Sequence, residues 1–408
     1  MKEKHLIVAG LADLRQDIAG PIPSEIIKNW VLSNQTDYDH QEILSDYIRE
    51  GVLLSSDSAG LSKLSQKRSL IEVMKLINDP KEIIYGYGKY IGGKGVGVWA
   101  ADNTQMFFDY SIGSFDVIKQ IVSAQQEIAK SSEVQVGIAL HKGKFLEIGN
   151  GFFGEDSEYV EMVAEDFTSG GEIVVSEEFA DDLDKLSEFM DVRDDLNFNK
   201  KFFRLNYTEL NFYSKRSASC DYPAPFSSDF HQYLKSGDFD DFEDNLIIKK
   251  YFNNNAVIVL KVYHQRNKFL LNELTEWVTV NSLISMVKSR DGVNMIKSNG
   301  DLGIFVCEDH HRAIDFAEDL QAMLHNNGYS YSIGLASGEV FVFPLENGFY
   351  DIAGNPVNVA SKISEDIEAR NTFYLHESVD VTGRNMSRFD NFVLKKSGVE
   401  LKGFKIHF

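Results

Sequence analysis

One stretch of this chain occurs twice, and a duplicated segment fixes the number of folding units before any other property is weighed. Residues 150–166 read Asn-Gly-Phe-Phe-Gly-Glu-Asp-Ser-Glu-Tyr-Val-Glu-Met-Val-Ala-Glu-Asp, and those from Asn347 to Lys362 read Asn-Gly-Phe-Tyr-Asp-Ile-Ala-Gly-Asn-Pro-Val-Asn-Val-Ala-Ser-Lys. Overlaid without a gap, Asp351 faces Gly154, Asn358 faces Glu161 and Lys362 faces Glu165. Upstream, Lys89, Gly92 and Gly93 pair with Lys297, Gly300 and Asp301, and Val136-Gly137-Ile138 pairs with Ile333-Gly334-Leu335. Two domains are expected, and 408 residues at 43% hydrophobic content are enough to give each its own core.

The second copy carries the more suggestive chemistry. A polar turn, Asp351, a Gly-Asn-Pro break and then Val357, Val359 and Ala360 entering a helix gather Asp351, Asn358 and Lys362 at one helix start. Asn358 and Lys362 are four residues apart and share a helix face. A carboxylate, an amide and a cation so placed suit the base edge, ribose and phosphate of a nucleotide, although an ordinary amphipathic helix behind a turn reads the same way. The first copy keeps the framework and replaces these groups with glycine and two glutamates.

The set Lys297, Gly300, Asp301, Gly334, Asp351, Gly354, Val357, Asn358, Ala360, Ser361 and Lys362 resembles the pattern of class III nucleotidyl cyclases. The first copy resembles it at Asp57-Ser-Ala-Gly60-Leu61-Ser62-Lys63-Leu64, Lys89, Gly92 and residues 136–138; together the matches cover residues 50–180 and 255–380. The resemblance implies an α+β chain of two ferredoxin-like class III cyclase-type domains, each a mixed sheet flanked by helices, forming an intramolecular head-to-tail pseudo-heterodimer. The expected divisions are an N-terminal extension (1–45), a degenerate first domain (46–215), a linker (216–245) and a second domain (246–408).

The resemblance also implies roles. One composite site would take Asp57 as metal ligand from the first copy, and from the second Lys297 and Asp351 on adenine, Asn358 on the ribose and Lys362 on the reacting phosphate. Mg2+ or Mn2+ is the implied cofactor, and ATP the favoured nucleoside triphosphate. The other site, with Asp301 as metal ligand beside Lys89, Gly154, Glu161 and Glu165, is expected to be dead, Tyr263 standing where its strand should deliver a metal aspartate. In the first site Gly93 is read in place of the second metal aspartate, and Lys362 in place of an arginine, keeping the charge but losing the planar fork. The expected function is weak adenylate cyclase activity, ATP to cyclic AMP and pyrophosphate. The alternatives are a catalytically inactive pseudocyclase, binding nucleotide as a regulatory module for an unknown protein regulator, and a scaffold using the fold alone.

Composition narrows the partners. A net charge of -21 without a basic patch argues against nucleic acid and against an anionic membrane surface. Two distant cysteines, Cys220 and Cys307, show no ligand spacing, and the apolar run His5–Gly10 is too short for a signal peptide, so a soluble cytoplasmic protein is expected. The run from Asp238 to Asp244 reads as a solvated helix start rather than a calcium loop, lacking the central glycine and closing glutamate. His310, His311 and Arg312 likewise read as a helix start rather than a metal or phosphate site.

Overall fold

The computed structural model describes residues 14–16, 20–64, 67–96, 103–149, 151–196, 198–218, 228–235, 241–264, 267–287, 292–298, 300–344, 350–365, 367, 370–396 and 399–407. The apolar run from His5, Cys220, Pro223 and Pro225 of the expected linker, Asp238 and the turn starts Asn150 and Asn347 lie outside them. Packing divides the chain into two compact units, one from residues 44–239 and the other from residues 21–43 together with 240–408.

In chain order, strands β1 (Leu14–Gln16) and β2 (Gly20–Ile22) precede helices α1 (Ser24–Leu32) and α2 (Asp37–Leu44). The first copy follows as β3 (Ile48–Ser58), α3 (Leu61–Leu64), α4 (Leu70–Tyr90), β4 (Lys94–Val96), β5 (Thr104–Asp109), α5 (Ser114–Ser131), β6 (Val136–Ile148), β7 (Gly151–Phe153), α6 (Glu155–Phe167), β8 (Ile173–Ser176), α7 (Glu177–Ala180), β9 (Met190–Val192) and β10 (Phe202–Leu205). After α8 (Ser228–Lys235) and α9 (Asp241–Tyr251) comes the second: β11 (Phe252–Tyr263), α10 (Leu270–Val287), β12 (Val293–Ser298), β13 (Leu302–Cys307), α11 (His310–Asn326), β14 (Ser330–Pro344), β15 (Tyr350–Ala353), α12 (Asn355–Glu365), β16 (Thr372–His376), β17 (Phe389–Lys396) and β18 (Val399–Ile406).

Each copy forms one mixed sheet, while β1 pairs with β2 in a separate two-stranded sheet. The strand orders, β4-β5-β3-β6-β8-β10-β9 and β12-β13-β11-β14-β16-β18-β17, are the same path, with β7 and β15 hung on β6 and β14. Strands β3 and β11 are covered on both faces, which is why Val52–Leu54 and Ala256–Leu260 are unbroken apolar runs. In the first unit Val52 and Leu54 pack with Ile84, Ile118 and Ile121 of α4 and α5, and Leu53 packs on the opposite face with Val160 and Val163 of α6. The capping box of Ser69 and Glu72 starts α4, which runs through Pro80 to Tyr90.

The pairing corrects the register of the repeat. Ile138-Ala139-Leu140 lies along Ile173–Val175 as Ile333-Gly334-Leu335 lies along Phe373–Leu375, so these triplets correspond, not residues 136–138. The following hairpin runs from Leu146 to Phe153 in one unit and from Phe341 to Ala353 in the other, five residues more. Beyond it the helices α6 and α12 start at Gly154 and Gly354, both at positive φ (101° and 143°), where a side chain would be strained. Gly154 therefore matches Gly354, and the ungapped overlay is three residues out along the helix.

The segments outside the duplicated sheets are not loose. Helix α1 packs on α10: the Trp30 indole N–H donates to Asn272 Oδ1 at 2.8 Å, its ring meets Phe269 edge-on at 5.3 Å, and Lys268 pairs with Asp37 at 2.6 Å. Within the expected linker, α8 packs on α4, with His231 and Lys235 reaching Glu82 at 2.8 and 3.2 Å and Phe230 and Leu234 buried. Both copies thus begin helix, helix, long strand, and each leading helix belongs to the unit formed by the other copy.

A charged cluster ties α6 to β6 and β8. Buried His141 contacts Ser176 Oγ at 2.8 Å through Nδ1 and Asp156 at 3.2 Å through Nε2, and Lys200 reaches Asp156 at 2.7 Å and Glu178 at 3.1 Å. Burial works against ionisation of Asp156, yet hydrogen bonds and charge from His141 and Lys200 hold its carboxyl well below the ordinary value of 3.8. A carboxyl depressed in the folded state stabilises above its unfolded pKa, and that contribution is lost as pH falls through the folded value. Thermal melts should therefore show Asp156→Asn less stable than wild type at pH 7, with the difference shrinking below about pH 4; a difference constant with pH would remove Asp156 from this role.

Candidate functional site

Two of the site residues read from the sequence meet in the second unit. The ladder of β12 against β13 skips a residue between Met295 and Lys297. Met295 lies opposite Phe305, a core residue under α10 and α11, whereas Lys297 lies opposite Ile304 on the other face. Without the bulge, residues two apart would share a face; with it, Lys297 is turned toward β15. There its Nζ lies 2.8 Å from Asp351 Oδ1, with side chains 7% and 1% exposed. The backbone N–H of Ile352 donates to the same oxygen at 2.8 Å.

Helix α12 carries Asn358 and Lys362 beyond its Gly354 start. Asn358 is exposed and Lys362 half-buried, and neither side chain makes a hydrogen bond or ion pair with another described residue. An amide and a cation one turn apart, with no internal partner, are available to a ligand.

Asp57, half-buried near the end of β3, lies opposite Gly137 in the first unit. By alternation it shares the α6-covered face with Leu53 and Ser55. Its counterpart is not Tyr263. Ser56 faces Ile138 as Leu260 faces Ile333, so the next residues, Asp57 and Lys261, correspond. Lys261 Nζ is 2.6 Å from Asp301 Oδ2, so the second unit holds a lysine–aspartate pair where the sequence led us to expect a metal ligand. A lysine inside an apolar strand was the visible signal.

The same ladders move the second carboxylate. Thr104 faces Ser56 as Gly303 faces Leu260; two residues earlier stand Asp102 and Asp301. Asp102, which lies outside the described residues, is thus the sequence counterpart of Asp301. Gly93 instead closes the end of α4, its N–H donating to Gly88 O at 2.9 Å, and Lys89 lies in the last turn of that helix. Val96, opposite Gln105, stands where Lys297 stands opposite Ile304, and Gly151 stands in the place of Asp351. The first unit therefore lacks both members of the buried pair.

Glu158 and Met162, not Glu161 and Glu165, occupy the places of Asn358 and Lys362. Glu161 accepts from Gln105 Nε2 at 2.6 Å and Ser157 Oγ at 3.1 Å, and Glu165 accepts from Asn103 Nδ2 at 2.6 Å. Burial pushes the Glu161 carboxyl up, against the hydrogen bonds from Gln105 and Ser157 that favour its charged form. His310 is likewise engaged, its Nε2 2.6 Å from Ser337 Oγ and its Nδ1 accepting from the Asp380 N–H at 2.8 Å, while Asp309 caps α11.

Among the described residues no three His, Cys, Asp or Glu side chains are grouped to hold a metal ion. A hard divalent cation takes six or more oxygens, so Asp57 fits one only where phosphate oxygens or water complete the shell. Among the described residues no helix is long and apolar enough to cross a membrane.

By sequence, no family model and no curated protein matches the chain. By structure it is similar to a class III adenylyl cyclase-like ATP-binding protein from Pseudomonas aeruginosa, with a TM-score of 0.51 at 11% identity over 81% of this chain and 84% of that one. It also matches the guanylyl cyclase domain of the RhoGC fusion protein from the aquatic fungus Blastocladiella emersonii, with a TM-score of 0.32 at 21% identity over 38% of this chain and 95% of that one. A third match is the adenylyl cyclase CyaB from P. aeruginosa, with a TM-score of 0.32 at 11% identity over 39% of this chain and 94% of that one. With the same strand path in both sheets, the chain is a tandem of two domains of the class III nucleotidyl cyclase fold.

Proposed function

We propose that this chain binds ATP at one asymmetric site and converts it slowly to cyclic AMP and pyrophosphate. The observation that carries the reading is the buried Lys297–Asp351 pair, present in one unit and replaced by Val96 and Gly151 in the other. An ammonium can donate to a ring nitrogen and a carboxylate can accept from an exocyclic amine, the edge that adenine presents. Guanine offers O6 and N1–H instead and meets the wrong partners.

In this reading Asp57 comes from the first unit, and Lys297, Asp351, Asn358 and Lys362 from the second, assembled in an intramolecular head-to-tail pair. The ribose 3′ oxygen attacks the α-phosphorus; a new P–O bond forms as the bond to pyrophosphate breaks, and the hydroxyl proton passes to solvent. Asn358 holds the ribose in line, and Lys362 offsets charge developing on the reacting phosphate. Asp57 would hold Mg2+ or Mn2+, which when bound would supply a more acidic hydroxyl and charge neutralisation for the triphosphate.

A second reading, ATP held without turnover by a regulatory module that responds to a protein partner, is favoured by Lys362, which offers a point charge rather than a two-pronged fork. Two measurements separate the readings. ATP at 100 times its Kd should stabilise the chain by about 2.7 kcal/mol, and GTP at the same concentration by less. Mass spectrometry with Mn2+ should then detect cyclic AMP, reduced at least about 100-fold by Asp57→Asn. A shift without product leaves the second reading; equal shifts with ATP and GTP reject the role given to Lys297 and Asp351.

A further inference from the structure

The second unit keeps the hairpin aspartate and loses the strand one. Asp301 stands at the β12–β13 turn, and at the strand position that holds Asp57 in the first unit this one holds Lys261, 2.6 Å from Asp301 Oδ2. The two side chains are 27% and 28% exposed, so the pair lies at the rim of the sheet rather than in the core. The turn is fixed independently by the Val262 N–H donating to Asp301 O at 2.7 Å, and by Gly300, at φ +86°, whose missing Cβ would come 2.4 Å from Trp277 O.

A carboxylate pair draws in a divalent cation because two negative charges need neutralising and their oxygens supply ligands. Exchanging one carboxylate for an ammonium removes two ligand oxygens and changes the local formal charge from −2 to 0. The remaining carboxylate then already has a cation at hydrogen-bond distance, and a divalent ion would have to displace it against like-charge repulsion.

We propose that Lys261 is a built-in cation that closes the second unit's carboxylate turn to divalent metal. The inference rests on the cyclase-like reading of the two turns, and it assigns Asp301 to a fixed internal pair that takes no metal. A metal at the proposed ATP site then depends on Asp57 of the first unit.

The test is Mn2+ titration of the full-length chain, followed by electron paramagnetic resonance of the free ion. In the wild-type background Asp301→Asn should leave the number and affinity of Mn2+ sites unchanged, whereas Lys261→Met should add one weak site that vanishes in Lys261→Met/Asp301→Asn. Lys261→Gln, which keeps a hydrogen-bond donor for Asp301, provides the same comparison if the methionine variant does not fold. Loss of a site in Asp301→Asn, or no added site in a folded Lys261 variant, overturns the proposal. Asp57→Asn is measured in parallel: failure of the proposed function would show as no nucleotide-dependent Mn2+ binding through Asp57, a result separable from the behaviour of Asp301.

Discussion

Lys297→Met should lower the stability of the full chain by about 3–5 kcal/mol, the cost of leaving a buried charge without its partner. Asp351 is 1% exposed, so the carboxylate left behind cannot recover its solvation by turning outward. The double variant Lys297→Met/Asp351→Leu removes both charges and should regain most of the loss, but not all of it, because the Ile352 N–H then loses the oxygen it donates to. Urea denaturation of the three proteins measures this directly. The double variant also separates structure from recognition. If it is stable and still prefers ATP to GTP, the pair serves the fold alone; if it is stable and has lost the preference, the base is read there.

Gly93→Asp should destabilise the first unit by about 1–3 kcal/mol and add no catalytic metal site. An aspartate here looks like a repair when the repeat is read as text, because Gly92-Gly93 resembles Gly300-Asp301. The backbone excludes it. A Cβ on Gly93 would lie 2.5 Å from Phe108 Cε1 and 2.8 Å from Gly88 O, and Phe108 is wholly buried with no room to yield. Gly93→Asp/Phe108→Leu should remove part of the penalty, which would identify the cause as steric. A Gly93→Asp protein as stable as wild type, or one that gains Mn2+-dependent cyclic AMP formation, would contradict this geometry.

Apolar periodicity carried most of the architecture. The helices at Ser114–Ser131 and His310–Asn326 each bury a face against one sheet, so the spacing of Val117, Ile121 and Ile128 follows the helical repeat. Pro80 removes one N–H from its helix, yet the flanking residues Ile77, Ile83 and Ile84 are all buried and tertiary packing carries the helix through.

At the site, residue types were legible and register was not. Strand pairs and glycine caps fix register, while the length of a turn between them is nearly unconstrained. The similar Asn-Gly-Phe triplets begin four residues before Gly154 (154 − 150) and seven before Gly354 (354 − 347), so matching them displaced every helical counterpart by three residues. The shared site of Lys297 and Asp351 was implied by the resemblance, but the bulge that turns Lys297 away from Met295 is a property of the pairing and has no sequence signature of its own.

The helix that precedes each copy also has a temporal consequence. A chain made from its N-terminus normally completes structure in the order of synthesis. The first unit can do so, since α8 follows the domain that it covers. Helix α1 cannot: Trp30 waits for Asn272, 242 residues later, before its indole has a partner. Until then Ile26, Ile27 and Trp30, all buried in the finished unit, present an uncovered apolar face on the nascent chain. Helix α1 thus docks only after the 242 residues that separate Trp30 from Asn272 have been made, and over that stretch its surface is open to a chaperone, or to the α10 of a neighbouring copy.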